Sequence, residues 1–201
     1  MKNGFVLASK SPRRIELLRQ LGFEFDIIPS EIDEDLIQGE PPHEHVIRLA
    51  EAKALEIGSR YPDRWIIAAD TAVFINGSIL GKPKNGDEAV EMLSRLSGQE
   101  HLVLTGISAH HVRKEKGGHQ AVQTTVKMKV LLPAETRWYV NTGEPFDKAG
   151  GYAIQGIGSF MIESIKGSYT NVVGLPLYEL VQMLGDLGVL AISDCGFRIS
   201  D

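Results

Sequence analysis

The stretch FVLASKSPRRIELLRQLGFEFDII, residues 5–28, decides the fold class. FVLAS is a short apolar run ending in small residues, the pattern of a buried strand. Ser11 reads as a helix N-cap and Pro12 as the first helical residue. Ile15, Leu18 and Leu21, with Leu17 beside them, recur at helical spacing, and Gly22 supplies the stop. Phe23, Phe25 and Ile27 then alternate as a strand before Pro29. The same stretch holds an anomaly: Arg13 and Arg14 fall in the first helical turn. The helix dipole already places about half a positive charge there, so each exposed cation costs roughly 0.3–1 kcal/mol. Free backbone N–H groups beside arginines form a phosphate site, and an anion turns the penalty into attraction.

Further along, PPHEHVIRLAEAKALEIGSRY predicts a helix with Val46, Leu49, Ala50, Ala54 and Ile57 in one apolar stripe and Lys53 near its middle. RWIIAADTAVFINGSILGKP predicts a strand and a hairpin at Asn76-Gly77, a dipeptide that favours a type I′ turn. GDEAVEMLSRLSG predicts a helix with Asp87 and Glu88 in the first turn, where the dipole favours them. HLVLTGISAHHV and AVQTTVKMKVLL predict a long antiparallel hairpin with RKEKGGH as its polar tip. PAETRWYVNTG predicts a short helix and LYELVQMLGDLG a final one. Between them lies a segment with Gly150, Gly151, Gly156, Gly158, Gly167 and Gly174, read as tightly turned chain beside a ligand. Helices interleaved with strands, plus an antiparallel hairpin, predict a mixed sheet. Residues 1–190 are expected to form one domain with two lobes around a cleft, and 191–201 a tail.

The chain has 201 residues, a formal net charge of −5 and one cysteine, Cys195. That charge disfavours nucleic-acid binding through a broad cationic face. A single cysteine excludes an internal disulfide and a zinc site built on several thiolates. With no long apolar segment, a cytoplasmic protein without membrane contact is expected.

Several motifs are absent. GSILGK has three residues between its glycines and Pro83 after the lysine, so it is no phosphate-binding P-loop. GISAH lacks the second glycine of a nucleophile elbow. The histidines, including His43, His45, His110 and His111, are not spaced as metal ligands on one helix or strand face. The informative charges interrupt apolar chain instead. Asp70 ends the run WIIAA, where a sheet presents a carboxylate at its rim, and PSEIDED puts Glu31, Asp33, Glu34 and Asp35 after another strand. Together they suit a magnesium ion, which takes one or two carboxylates and leaves its other positions to water and phosphate oxygens. Arg13, Arg14, Lys53 and Lys82 form the opposing set, so the residues alone point to metal-assisted chemistry on a phosphorylated small molecule.

In the order LASKSPRRIELLRQLG, RLAEAKA, AADTAVFINGSILGKP, MLSRLSGQEHLVLTGIS, EPFDKAGGYAIQGIGSFMIESIKGSY and VVGLPL, the chain resembles the Maf family of nucleoside triphosphate pyrophosphatases. The resemblance runs from about residue 5 to about residue 190. It implies an α/β fold with an elongated mixed sheet, flanking helices and a deep cleft, similar to inosine triphosphatases of the Ham1 type, and often a homodimer. It implies hydrolysis of a nucleoside triphosphate to the monophosphate and pyrophosphate with magnesium or manganese. Asp70 matches the family's proton acceptor, and Asp33 an acidic position associated with the metal alongside Asp70. Ser9, Arg13, Arg14, Lys53 and Lys82 match phosphate-contacting positions. Arg13, Thr71 and Gln155 match three specificity positions, and their identities resemble the subgroup acting on dTTP and UTP rather than the one acting on 7-methyl-GTP. A glutamine amide donates to uracil O4 while accepting from N3–H, a pair that a carboxylate cannot reproduce. The family's link to septum formation supplies a rival, a nucleotide-binding regulator with little turnover.

Overall fold

The computed structural model describes residues 4–190; the predicted tail at 191–201, with Cys195, lies outside them. Strand β1 (Phe5–Leu7) leads into helix α1 (Pro12–Gln20) and strand β2 (Phe25–Ile27). Ser11 holds the N-cap position and Pro12 the first turn, although the Ser11 side chain makes no capping bond. Gly22 follows at φ 73°, the left-handed geometry that ends a helix. Helix α2 (Pro42–Arg60) buries Val46, Leu49, Ala50, Ala54 and Ile57 as its stripe predicts, and Lys53 with them.

Strand β3 (Trp65–Ile75) turns at Asn76-Gly77 into β4 (Ser78–Leu80). Both turn residues have positive φ, 49° and 79°, as a type I′ turn requires. Helix α3 (Gly86–Leu96) is capped by Asn85, whose side chain accepts from the Glu88 N–H. Strands β5 (Glu100–His111) and β6 (Lys116–Met128) follow, then α4 (Pro133–Asn141), β7 (Ile162–Lys166), the short α5 (Tyr169–Val173) and α6 (Leu177–Asp186).

The sheet is mixed, in the order β2-β1-β3-β5-β6-β7 with β4 paired to β3. β1 runs parallel to both β2 and β3, whereas β4 is antiparallel to β3 and β7 to β6. The predicted polar tip of the central hairpin is shorter than expected, because Gly117, Gly118 and His119 belong to β6. A Cβ at Gly117 would stand 2.2 Å from His110 Nδ1, so glycine there makes room for the His110 ring. The glycine-rich segment holds β7 and α5 among its turns, elements that its glycines hid from pattern reading.

The chain forms two compact units. Among the described residues, the first comprises 4–70, Thr105–Val122 and 174–190. Its core joins Ala54 and Ile57 of α2 to Val6 of β1, to Ala8 just after it and to Ile66 and Ala68 of β3. The second comprises Thr71–Leu104 and Gln123–Val173, with a core that includes Val73, Leu93, Leu96, Val126, Met128, Tyr139 and Met161. Among the described residues no helix is long and apolar enough to cross a membrane.

Candidate active site

Four predicted site residues, Ser9, Arg14, Lys53 and Asp70, meet in the first unit with one that the motifs did not single out. Strand β1 ends at Leu7, paired with Ile67, while β3 runs on to Ile75. Asp70 therefore lies inside β3, past the end of β1. Asp70 is buried, 8% exposed. Lys53 reaches it from α2: Nζ donates to Asp70 Oδ1 at 2.6 Å. The same ammonium stands 2.6 Å from Glu34 Oε1, on the acidic loop. Lys53 is 6% exposed, so its charge is removed from water and held by two carboxylates, the condition under which a buried cation is tolerated.

Arg14 folds back from the first turn of α1. Its Nε donates to the Gly174 carbonyl and one terminal nitrogen to the Ala69 carbonyl, each at 2.8 Å, with Ser9 Oγ 3.5 Å from that nitrogen. Burial lowers the Arg14 pKa, while the charges of Asp70 and Glu34 act in the opposite direction. The misplaced cation of the sequence is thus a half-buried group aimed at the strand that carries Asp70. Ser9, 7% exposed, also accepts from the Ser11 N–H through its hydroxyl at 3.2 Å. Arg13, half-buried, occupies the same first turn.

Asp33 is exposed on the acidic loop, and the carboxylate which that loop delivers to Lys53 belongs to Glu34. Four acidic residues stand within five positions there, and nothing in their order tells which one reaches Lys53. The loop is tied to α2 behind the site. Arg48 donates to Glu40 Oε1 at 2.6 Å and to the Asp35 carbonyl at 3.2 Å, and His45 Nδ1 lies 2.9 Å from Glu40 Oε2. Arg48 and His45 hold the Glu40 carboxyl well below its usual range, at about 2.

The remaining predicted residues, Thr71, Lys82 and Gln155, belong to the second unit. Thr71 follows Asp70 on β3, and Lys82 is exposed in the Gly-Lys-Pro turn after β4. The Gly81 carbonyl in that turn accepts from the Gly150 N–H at 2.9 Å. Gln155 is exposed, and its Nε2 donates to Tyr169 Oη at 3.3 Å.

No group of three or more His, Cys, Asp or Glu side chains among the described residues is arranged to hold a metal. A zinc-type cage is therefore not present there. Asp70 and Glu34, two carboxylates converging on one ammonium, do fit a hard divalent cation that draws its other ligands from water and phosphate.

The described chain is thus a mixed α/β sheet with a buried lysine between two carboxylates and an arginine held to the same strand. A family model described as "Maf-like protein" matches residues 4–187, and the chain belongs to that family. A dTTP/UTP pyrophosphatase of Syntrophus aciditrophicus is 51% identical over 188 residues, covering 94% of this chain and 92% of the relative. One from Geobacter metallireducens is 50% identical over 185 residues, covering 92% and 96%. A Ham1 protein of Staphylococcus aureus, a solved structure, overlays 96% of this chain and 90% of its own at 16% identity and a TM-score of 0.43.

Proposed function

We propose that the protein hydrolyses dTTP and UTP between the α- and β-phosphates, releasing the nucleoside monophosphate and pyrophosphate. The observation that carries this is the Asp70–Lys53–Glu34 arrangement beside Arg14, joined to the substrate named for relatives at about half identity over nearly the whole chain. In this reading Asp70 orients water and takes its proton as the new oxygen–phosphorus bond forms. Lys53 holds Asp70 in place, and with Ser9, Arg13, Arg14 and Lys82 it binds phosphate oxygens. Their preorganised positive charge stabilises the charge that grows on the departing pyrophosphate. Thr71, Gln155 and Arg13 select the base.

Magnesium or manganese fits Asp70 with Glu34, or with Asp33 beside it, and when bound neutralises phosphate charge and lowers the pKa of bound water. The proposal places this activity in the cytoplasm, on free nucleotides.

Purified protein with magnesium is expected to release pyrophosphate from dTTP and UTP in preference to 7-methyl-GTP. Asp70→Asn should lose about 10²–10⁴ in kcat while still binding nucleotide, since Lys53 keeps Glu34 as a partner. Normal turnover by Asp70→Asn would overturn the assignment of Asp70. Tight binding without pyrophosphate release by the unaltered protein would favour the regulator instead.

A further inference from the structure

Glu144 opens a 3-10 turn (Glu144–Asp147) just after α4, and its carboxylate is committed to the segment that follows Gln155. Oε2 accepts from the Ile157 N–H at 3.0 Å, and Oε1 accepts from the Gly158 N–H at 2.9 Å and from Tyr139 Oη at 3.1 Å. These are the first N–H groups of a second 3-10 turn (Ile157–Met161), whose N-cap, Gly156, has no side chain to offer them. Glu144 does the capping from thirteen residues away.

The segment is pressed onto that carboxylate. Gly156 has φ 77°, and a Cβ there would lie 2.8 Å from Glu144 Oε2. A Cβ at Gly158 would lie 2.8 Å from both Tyr139 Oη and the Ala153 carbonyl. Burial pushes the Glu144 pKa up, but the Gly158 and Ile157 N–H groups and the Tyr139 hydroxyl outweigh it, and the carboxyl lies below its usual value. Fixed backbone therefore begins one residue after Gln155.

We propose that Glu144 is a positioning residue for base selection, fixing the backbone that carries Gln155 so that its amide stays on Tyr169 Oη, the contact that sets which way the amide faces. This rests on the reading of Gln155 as the residue that meets the base. Uracil and thymine offer an acceptor at O4 and a donor at N3, whereas cytosine offers a donor at N4 and an acceptor at N3. A glutamine amide turned by half a rotation reads cytosine as well as it read uracil. Discrimination within the pyrimidines thus needs an amide that does not turn. Tyr169 Oη engages one hydrogen of Gln155 Nε2 and leaves the other for O4. The Glu144 clamp keeps the backbone of Gln155 where that bond forms.

The test is the ratio of kcat/KM for UTP to that for CTP, with kcat and KM separated and folding checked by thermal melting. Glu144→Gln keeps the side chain's size but sets an amide NH2 against one of the two N–H donors. The ratio is expected to fall about tenfold, carried by a higher KM for UTP with kcat within about twofold. Gln155→Ala should lower the ratio at least as far, and adding Glu144→Gln to it should lower it no further. If Gln155→Ala retains the ratio, the reading of Gln155 itself fails. If Gln155→Ala loses it but folded Glu144→Gln retains it, or if the double variant falls further still, the role given to Glu144 is overturned. Should Glu144→Gln not fold, Tyr139→Phe, which removes one bond from the same carboxylate, is expected to lower the ratio about threefold, and an unchanged ratio there overturns the proposal.

Discussion

Lys53 shows what a single residue's setting adds to its identity. Its place in the apolar stripe of α2 was legible, since AEAKALEI puts it at the spacing of Ala50, Ala54 and Ile57. A lysine on a helix is ordinarily a solvated charge over apolar stem, and only the structure shows both carboxylates that make burial tolerable. Arg14 was legible as an anomaly but not as a solution, because its partners are the Gly174 and Ala69 carbonyls, and any residue has a carbonyl. Which acidic residue of the loop reaches Lys53 was not legible at all, for adjacent acidic residues in an irregular loop have no periodicity to separate them. It yields a prediction. Glu34→Gln removes one of the two charges on Lys53 and should lower kcat about tenfold or more, whereas Asp33→Asn should stay within about twofold. Steady-state turnover of dTTP by both variants decides it, and the reverse order would put Asp33 in the site.

At the scale of elements, helices read best, because an amphipathic stripe over three or more turns is a long signal with recognisable ends. α2 and α3 keep their apolar faces buried as the pattern requires. β7 and α5 were missed because each is five residues long and lies among glycines that break any period. What positions Lys53 is a contact that no periodicity encodes: the backbone of α2 rests on β5 at Gly106. A Cβ at Gly106 would lie 2.1 Å from the Val46 carbonyl and 2.8 Å from the Ile47 nitrogen. Both are backbone atoms of a helix that cannot turn aside like a side chain, so Gly106→Ala must move α2 as a body or fail to pack. A loss of about 1–3 kcal/mol or more is expected in urea unfolding. Activity should fall further than stability, because α2 carries Lys53 to Asp70. An alanine variant with unchanged unfolding midpoint and turnover would show that β5 and α2 are not so closely seated.

For the molecule as a whole, each unit has its own apolar core, and each also holds an ionisable group whose pKa the fold lowers. In the first unit Glu40 is held at about 2 by Arg48 and His45. In the second, burial lowers His101 to about 4; the ring is 3% exposed, Nε2 pairs with Tyr152 Oη at 2.5 Å and Nδ1 has no partner. A histidine ordinarily titrating near 6.5 is thus kept neutral by the fold. As pH falls below about 6.5 the unfolded chain takes up that proton first, so the stability contributed by His101 is lost between about 6.5 and 4. The contribution of Glu40 is present above its ordinary value of about 4.5 and is lost as pH falls through about 2. Stability should therefore decline towards acid in two consecutive windows, each with a slope of up to about 1.4 kcal/mol per pH unit for one fully shifted group. Unfolding free energy measured in urea from pH 7 to 2 resolves them. Glu40→Gln should lower stability at neutral pH by about 1–3 kcal/mol and flatten only the lower window, because the amide keeps no charge for Arg48 and has nothing to titrate. A stability profile that stays level between pH 6.5 and 4 would mean that His101 is not held neutral, and with it the buried pairing to Tyr152 would fall.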